Sequence, residues 1–268
     1  MARATLREDI PIMETMKRFA VGFVALSTLL LLPPAGAGES LDARAIVEES
    51  FRYMRGASSE ARLSMTIHRP DWARTMTLRV WTRGETESLI RIEGPPRDAG
   101  NGTLKKGAEM WMYNPKVDRI IKVPPSMMSR SWMGSDFSNN DLARSDSLIR
   151  DYDHVLEGSE RRDGTMVHRI RATPRPGAPV VWGKLDLRIR EDGILLEQTF
   201  FDEDGEPVKT LSAGDIALRS GRMFPGFLRM EPMDAEDEYT VLTYEEIRFL
   251  DDLPDRYFTL SSLRTPRR

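Results

Sequence analysis

The residues with the chemistry for catalysis or metal binding are few in this chain and poorly spaced for either task. Its histidines are His68, His154 and His168, none in an HxH or HxxxH spacing, and there is no cysteine. A preformed metal site needs a tighter set of ligands. Asp151 and Asp153 precede His154 in the run Asp151-Tyr152-Asp153-His154, but successive residues of a strand point to opposite faces. The two carboxylates therefore share one side and the imidazole faces the other, which favours a solvated cluster.

Hydroxyl groups offer no better case for catalysis. Ser126, Ser129, Ser131 and Ser135 invite a nucleophile, yet the sequence places no base beside them. An activated serine depends on such a base. Glycine-rich phosphate loops and the GxSxG motif are also absent from the sequence. We therefore expect neither an enzyme nor a bound cofactor.

These serines belong to an unusual stretch, SMMSRSWMGSDFSNND, at residues 126–141. It mixes loop-forming residues with five large apolar side chains of no regular period: Met127, Met128, Trp132, Met133 and Phe137. Methionine is flexible and fills irregular space while tolerating rearrangement. Two interpretations stay open. The stretch is a lid or plug that enters a concavity, or it is a satellite core cluster under a long connection.

The composition restricts the class of partner. The 268 residues hold 39 Lys and Arg against 42 Asp and Glu, a formal net charge of −3. The chain has no excess of basic residues, so its charge does not favour nucleic acid as a partner. With no cysteine, the fold must be stable without disulfides, and the N-terminal leader has no residue for a lipid anchor. We expect a monomer.

The N-terminus has the layout of an export signal. Met16-Lys17-Arg18 is followed by an uncharged apolar run at 19–32 and by the small-x-small site Ala35-Gly36-Ala37. A run this short predicts a cleavable signal peptide and not a membrane span; a buried N-terminal helix is the alternative. We predict an extension and signal peptide at 1–37, one domain at 38–268, and a soluble periplasmic protein.

The rest of the chain reads as one helix followed by short strands. Ser40 is the predicted cap of a helix that ends near Arg55 at Gly56, with one apolar face. Alternating apolar residues and turn pairs such as Asp163-Gly164 then predict twelve strands in mostly neighbouring hairpins. The predicted strands are 61–67, 76–80, 89–92, 109–113, 119–123, 152–158, 166–173, 181–190, 194–201, 209–218, 222–230 and 238–249.

This pattern predicts a mainly β fold, a single curved antiparallel sheet forming a half-open, unclosed barrel. A transmembrane barrel also alternates, but its outer face needs an apolar band. Here the outward residues of most strands are Arg, Thr, Glu and Ser. We therefore expect a solvent-exposed outer face and an inward apolar cavity. The predicted lipid-binding cavity and lid residues are Leu63, Met65, Ile67, Met76, Leu78, Met110, Met112, Met127, Met128, Trp132, Met133 and Phe137. The helix cover is Ile46, Val47, Phe51 and Met54.

Several strings resemble the LolA-like outer-membrane lipoprotein-sorting proteins. They are WMGSDFSNNDL at 132–142, DYDHVLEG at 151–158, Trp111-Met112-Tyr113, and the segment from Ile120 to Pro125. The resemblance spans the whole predicted mature chain. It is closer to the branch associated with large exporter systems than to the classical carrier.

The resemblance implies an unclosed β-barrel with helices over its mouth and an apolar cavity for acyl chains. It implies carriage of a lipoprotein or lipid between membranes, with an inner-membrane exporter or donor complex and an outer-membrane acceptor as partners. The alternative is a periplasmic lipid-sensing regulator or adaptor on the same fold, without transport.

Overall fold

The cap of the first helix lies two residues later than predicted. A computed structural model of the chain describes residues 41–264, in which helix α1 is Ala43–Arg55. Asp42 is the cap, since its side chain accepts a hydrogen bond from the backbone N of Arg44 at 2.9 Å. The Ser40 cap was therefore a wrong prediction. Gly56 ends the helix as predicted, with φ +73°. The predicted signal peptide lies outside the described residues.

Fifteen strands and three further helices follow α1 within residues 41–264. The strands are β1 (Ser58–Arg69), β2 (Trp72–Arg83), β3 (Glu87–Gly94), β4 (Gly102–Lys106), β5 (Glu109–Asn114), β6 (Arg119–Lys122), β7 (Tyr152–Arg162), β8 (Thr165–Pro174), β9 (Lys184–Arg190), β10 (Leu195–Phe201), β11 (Pro207–Gly214), β12 (Ala217–Arg219), β13 (Arg222–Phe224), β14 (Phe227–Pro232) and β15 (Tyr239–Leu250). The helices are α2 (Asn139–Ala143), α3 (Ser147–Arg150) and α4 (Leu260–Arg264).

Thirteen strands form one antiparallel sheet in the order β6-β5-β4-β3-β2-β1-β15-β14-β11-β10-β9-β8-β7. The first strand lies in the middle, because β1 pairs with both β2 and β15. The sheet does not close into a barrel, and β6 and β7 are its two edges. Strands β12 and β13 form a separate hairpin. The predicted fold class is confirmed.

The strand count exceeds the twelve predicted because one strand is new and two are divided. Strand β4 has polar Thr103 and Lys105 on its inward side. It therefore lacks the alternation of apolar and polar residues that predicted the other strands. The predicted strand at 209–218 is interrupted by Asp215, whose φ is +53°. The predicted strand at 222–230 breaks at Pro225-Gly226, between β13 and β14. Proline cannot donate a ladder hydrogen bond.

The inward faces of the first strands form a dense apolar cluster. Met65 pairs with Met76 on β2 and with Leu242 on β15, and Met65 and Met76 are fully buried. Buried side chains in native cores pack as densely as organic crystals. This part of the concave face is therefore filled core.

One region of the outer face is buried, so the expectation of a fully solvent-exposed outer face was wrong there. Trp81, Leu89 and Leu104 point outward, on the side opposite to the concave cluster, and are buried. The chain after β15 covers them with three buried side chains, Leu253, Phe258 and Leu263. The guanidinium of Arg91 donates to the carbonyl of Ser262 at the same place. The C-terminal segment thus closes an apolar patch that would otherwise be exposed.

The two sheet edges are joined by the crossover segment, residues 123–151. It contains a 3₁₀ turn (Pro125–Met127), α2 and α3, and it includes the unusual stretch at 126–141. No helix within residues 41–264 is long and apolar enough to cross a membrane.

Candidate functional site

An apolar cavity lies under helix α1, and it is called the first cavity below. Its volume is about 300 Å³, at the lower end of the range typical of small-molecule sites. Val47, Phe51 and Met54 of α1 form its roof. Its walls are inward apolar residues of the sheet and one of α3: Ala61, Leu63, Val80, Leu148, Ile189, Leu195, Leu211, Leu228 and Ile247.

A second cavity of about 220 Å³ adjoins the first. The two share five lining residues: Phe51, Ser145, Leu148, Leu195 and Leu211. The second continues along aromatic walls of Phe137, Tyr152, Trp182 and Phe200. Together they make an extended, mostly apolar chamber, which suits a long flexible chain better than a compact ligand.

One end of the first cavity is polar. Arg55, the last residue of α1, lines it, and its Nε and Nη2 donate to the carbonyls of Gly84 and Glu87 at 2.5 and 2.6 Å. Burial lowers the pKa of this guanidinium to about 10. Ser59 and Thr82 lie beside each other in the same lining, with their hydroxyl oxygens 2.7 Å apart.

The crossover segment inserts Trp132 into the filled core. This side chain is 3% exposed and packs in the same cluster as Met65 and Met76. Its Nε1 donates to the Thr103 hydroxyl at 3.0 Å. Met133 and Gly134 follow in the left-handed region, with φ +54° and +80°, which reverses the chain behind the indole. Trp132 thus belongs to a core cluster.

Phe137 takes a different direction from Trp132. It packs with Tyr152, Phe200 and Met230 and lines the second cavity. Ser138 then starts α2 with a capping box, in which Asp141 N donates to its hydroxyl and its own N donates to the Asp141 carboxylate. The segment therefore contributes to both the filled core and the wall of the chamber.

Three aspartates of the crossover segment hold it to four strands. Asp136 pairs with Arg69 of β1 at 2.8 Å and accepts a hydrogen bond from the Thr240 hydroxyl at 2.6 Å. Asp141 pairs with Lys209 of β11, a pair that is almost fully buried. Both cations face inward on their strands. Asp141 neutralises the buried charge of Lys209, whereas Arg69 is shared between Asp136 and Glu238, the latter at 3.1 Å.

The third aspartate makes the most deeply buried ion pair. Asp146 is fully buried and lies 2.8 Å from Lys105 Nζ on β4, and Arg150 approaches its other oxygen at 2.9 Å. Burial lowers the pKa of Lys105, while the hydrogen bond and charge of Asp146 oppose that shift. Removing one member of such a pair leaves an uncompensated buried charge, which is strongly destabilising.

A third cavity, of about 440 Å³, lies beside the edge strand β6. Met112, Met127 and Met133 line it together with Ile121 and Val123. Three predicted lipid-binding methionines are therefore gathered here, away from the chamber under α1.

The structure divides the other predicted site residues between chamber and core. Leu63 and the cover residues Val47, Phe51 and Met54 line the first cavity, and Phe137 lines the second. Ile46 packs in a neighbouring cluster against Val47 and Ile149. The remaining predicted residues lie in the filled core: Met65, Ile67, Met76, Leu78, Met110 and Met128 beside Trp132. Whether any of them binds a lipid stays a prediction.

Several lining residues were missed from the sequence. The largest group comes from the second half of the sheet: Ile189, Leu195, Leu211, Leu228 and Ile247. They lay within predicted strands, so their alternation was a usable signal. Arg55 was also missed, although it lies four residues after Phe51 and therefore on the same face of α1.

Two of the histidines make hydrogen-bond contacts with neighbouring groups of the fold. His154 Nε2 lies 2.9 Å from the carbonyl of Leu148, and burial lowers the pKa of this imidazole. His168 Nδ1 lies 2.8 Å from the Ser159 hydroxyl. Asp153 pairs with Arg175 instead of His154. Among residues 41–264, no group of three or more His, Cys, Asp or Glu side chains is arranged to hold a metal ion.

Comparison with known proteins places this architecture. A family model described as that of an uncharacterized protein matches residues 84–265, more than half of the chain. A LolA superfamily protein from Nitrosomonas europaea has a similar fold, with a TM-score of 0.69 and 23% identity. The match covers 83% of this chain and 100% of that chain. The chain belongs to the family of that model and has a LolA-like fold.

Two further structures support the LolA-like fold. One is described as an outer membrane lipoprotein-sorting protein domain from Vibrio parahaemolyticus, with TM-score 0.73, 20% identity and coverage of 83% and 98%. The other is a DUF1329 family protein from Desulfovibrio piger, with TM-score 0.73, 24% identity and coverage of 83% and 99%. No curated protein matches the sequence.

Proposed function

We propose that this LolA-like chain is a periplasmic carrier that binds acyl chains of a lipoprotein or lipid and moves them between membranes. The observation that carries the proposal is the chamber formed by the first and second cavities, which is mostly apolar and begins under α1. The similarity to a lipoprotein-sorting domain supports the same class of cargo. Binding, and not catalysis, is the proposed activity.

The energetics of transfer require such a chamber. Each exposed CH₂ group costs on the order of 0.8 kcal/mol in water, so a 16-carbon chain costs about 13 kcal/mol. A carrier must offset most of that cost and still release the chain. In the first cavity, Leu, Ile and Met side chains around a pre-existing space provide adaptable apolar contact, and the aromatic walls of the second cavity extend it.

Export and hand-over belong to the same proposal. The signal peptide at 1–37 would deliver the domain at 38–268 to the periplasm. An inner-membrane exporter or donor complex would load it, and an outer-membrane acceptor would unload it. The chain is proposed to act as a monomer.

The test is a cavity-filling substitution with a matched control. Delipidated protein is titrated with N-phenyl-1-naphthylamine, an uncharged fluorescent probe, and the probe is then displaced with laurate. Leu195→Trp and Leu228→Trp place an indole in the first cavity and should reduce probe affinity at least about tenfold. Leu218→Trp adds the same group at a 72% exposed site outside the cavity and should leave affinity unchanged.

Two results would contradict the carrier proposal. One is wild-type protein that binds neither the probe nor laurate. The other is equal binding by the cavity-filling variants and the Leu218→Trp control, provided that all fold with the same circular dichroism spectrum. Mass spectrometry of organic extracts from protein purified out of the periplasm would identify the natural cargo.

A further inference from the structure

The first cavity has a single charged residue in its lining. Within residues 41–264, Arg55 is the only charged side chain among the residues that line it, and no acidic residue lines it. Tyr244, the other ionisable group there, has its pKa raised by burial to about 12. It is therefore uncharged at neutral pH. The apolar space thus carries one uncompensated positive charge.

Arg55 is held in place by neutral partners. Its two hydrogen bonds go to main-chain carbonyls, and it makes no ion pair within the described part of the chain. The acids that influence it from a longer range, Asp146 and Glu85, are paired with other cations. Asp146 contacts Lys105 and Arg150, and Glu85 contacts Arg52.

The guanidinium keeps donor capacity after these bonds. An arginine side chain has more N–H groups than the two used by the carbonyls of Gly84 and Glu87. Hydroxyl groups lie in the same lining, from Ser50, Ser59 and Thr82. Ser50 is 3% exposed, and its hydroxyl has no hydrogen-bond partner among residues 41–264. A fixed cation with neighbouring hydroxyl donors is the arrangement that binds a compact anion.

From this polar end and the apolar space next to it we infer that the first cavity binds a single acyl or alkyl chain that ends in a compact anion, with the anion at Arg55. The inference rests on the proposed carrier function and names its ligand class. A carboxylate or a phosphate monoester would supply the shared chemistry. The anion would replace the missing counter-charge, and the chain would lie against Leu63, Leu195 and Leu211.

The test compares ligands that differ only in the head group. Laurate, dodecyl phosphate and dodecanol have the same chain, and each is used to displace N-phenyl-1-naphthylamine from delipidated full-length protein. Wild-type protein should bind laurate or dodecyl phosphate about tenfold or more tightly than dodecanol, the size expected of a charge-assisted hydrogen bond. The preferred anion tells a fatty acid from a phosphorylated lipid.

Variants of α1 assign the preference to Arg55. Arg55→Gln should bring the anion-to-dodecanol affinity ratio close to one, and Arg55→Lys should keep part of it. Arg44→Gln is the matched control, because Arg44 is on the exposed side of the same helix and pairs with Glu48. It should keep the wild-type ratio. The ratio separates recognition from stability, since a merely structural role for Arg55 would weaken all three ligands equally.

The outcomes distinguish this inference from the carrier proposal. Equal affinity of wild-type protein for laurate, dodecyl phosphate and dodecanol would overturn the anion site and leave the carrier function standing. An unchanged ratio in Arg55→Gln would overturn the role of Arg55. Absence of binding by the probe and all three ligands would overturn the carrier proposal and the anion site together.

Discussion

The concave face of the sheet has a filled half and an open half. In the filled half, the inward residues of β1, β2 and β5 pack under Trp132 of the crossover segment, and Met65, Met76 and Met110 are fully buried. In the open half, equally apolar residues such as Leu195, Leu211 and Leu228 line the chamber under α1. The inward pattern is the same in both halves, so the cover decides which one is core and which one is cavity.

The two covers also differ in how they are attached. The crossover segment is bound to the sheet by the three aspartate–cation pairs of Asp136, Asp141 and Asp146. Helix α1 rests on apolar contacts and on the hydrogen bonds of Arg55 and Tyr53, and its ion pair with Glu85 is exposed. Within residues 41–264 no buried ion pair attaches this helix to the sheet, so it can move without leaving a buried charge unpaired. We therefore expect the filled half to be the stable part of the domain.

The largest effect is expected at the most buried ion pair of the crossover segment. Asp146→Ala leaves Lys105 charged and unpaired, which should lower the free energy of unfolding by about 3–5 kcal/mol. Asp153→Ala is the control, because its pair with Arg175 is largely exposed and should contribute about 0–1 kcal/mol. Urea denaturation measures both. Equal losses of unfolding free energy in the two variants would contradict the role of Asp146 in attaching the crossover segment.

A pair of substitutions compares the two halves directly. Trp132→Ala removes a buried indole from the filled half and should cost about 3–5 kcal/mol of unfolding free energy. Leu211→Ala enlarges a cavity that already exists, so it should cost about 1–2 kcal/mol, below the usual range for a buried leucine. Laurate affinity should fall more in Leu211→Ala than in Trp132→Ala. The reverse order of affinities would make the crossover segment the functional lid.

The smallest effect is expected at the junction of α3 and β7, where His154 is half-buried. Burial is the main cause that lowers the pKa of this imidazole, with Arg44 and Arg175 adding to it, while the Leu148 carbonyl and Asp153 oppose it. The unfolded chain, with an ordinary histidine pKa of about 6.5, then takes up the proton more readily than the folded one. The His154 contribution to stability is present above that pH and is lost as pH falls below it.

Urea denaturation between pH 7.5 and 5 measures this contribution. His154→Gln keeps a donor for the Leu148 carbonyl and cannot titrate, so its stability should fall less than that of wild type over this range. His68→Gln, at a histidine on β1, is the comparison variant. An identical pH dependence in wild type and His154→Gln would contradict the assignment.

The sequence predicted the elements better than the site. Alternation placed all twelve predicted strands and the apolar face of α1, because a half-buried strand leaves a period of two in the sequence. Strand β4 was missed since Thr103 and Lys105 face inward, each with a partner on the crossover segment, Trp132 and Asp146. Such pairings join residues far apart in the chain, and no local pattern reveals them.

The position of the chamber was unpredictable for a related reason. Met65, Ile67 and Met76 have the same inward alternation as Leu211 and Leu228, and only the path of the crossover segment tells them apart. The predicted set therefore favoured the first strands, most of whose residues are core. A space between elements is a property of their packing, which depends on which strands pair across the sheet.

The central claim is that the open half, and not the methionine-lined third cavity at β6, holds the cargo. A crystal structure of delipidated protein soaked with 12-bromododecanoate tests it most directly, because anomalous scattering locates the bromine. The account predicts the carboxylate at Arg55 and the bromine among Leu195, Leu211 and Leu228, with Trp132 unmoved. A bromine beside Met112, Met127 and Met133, or in the place of Trp132, would contradict it.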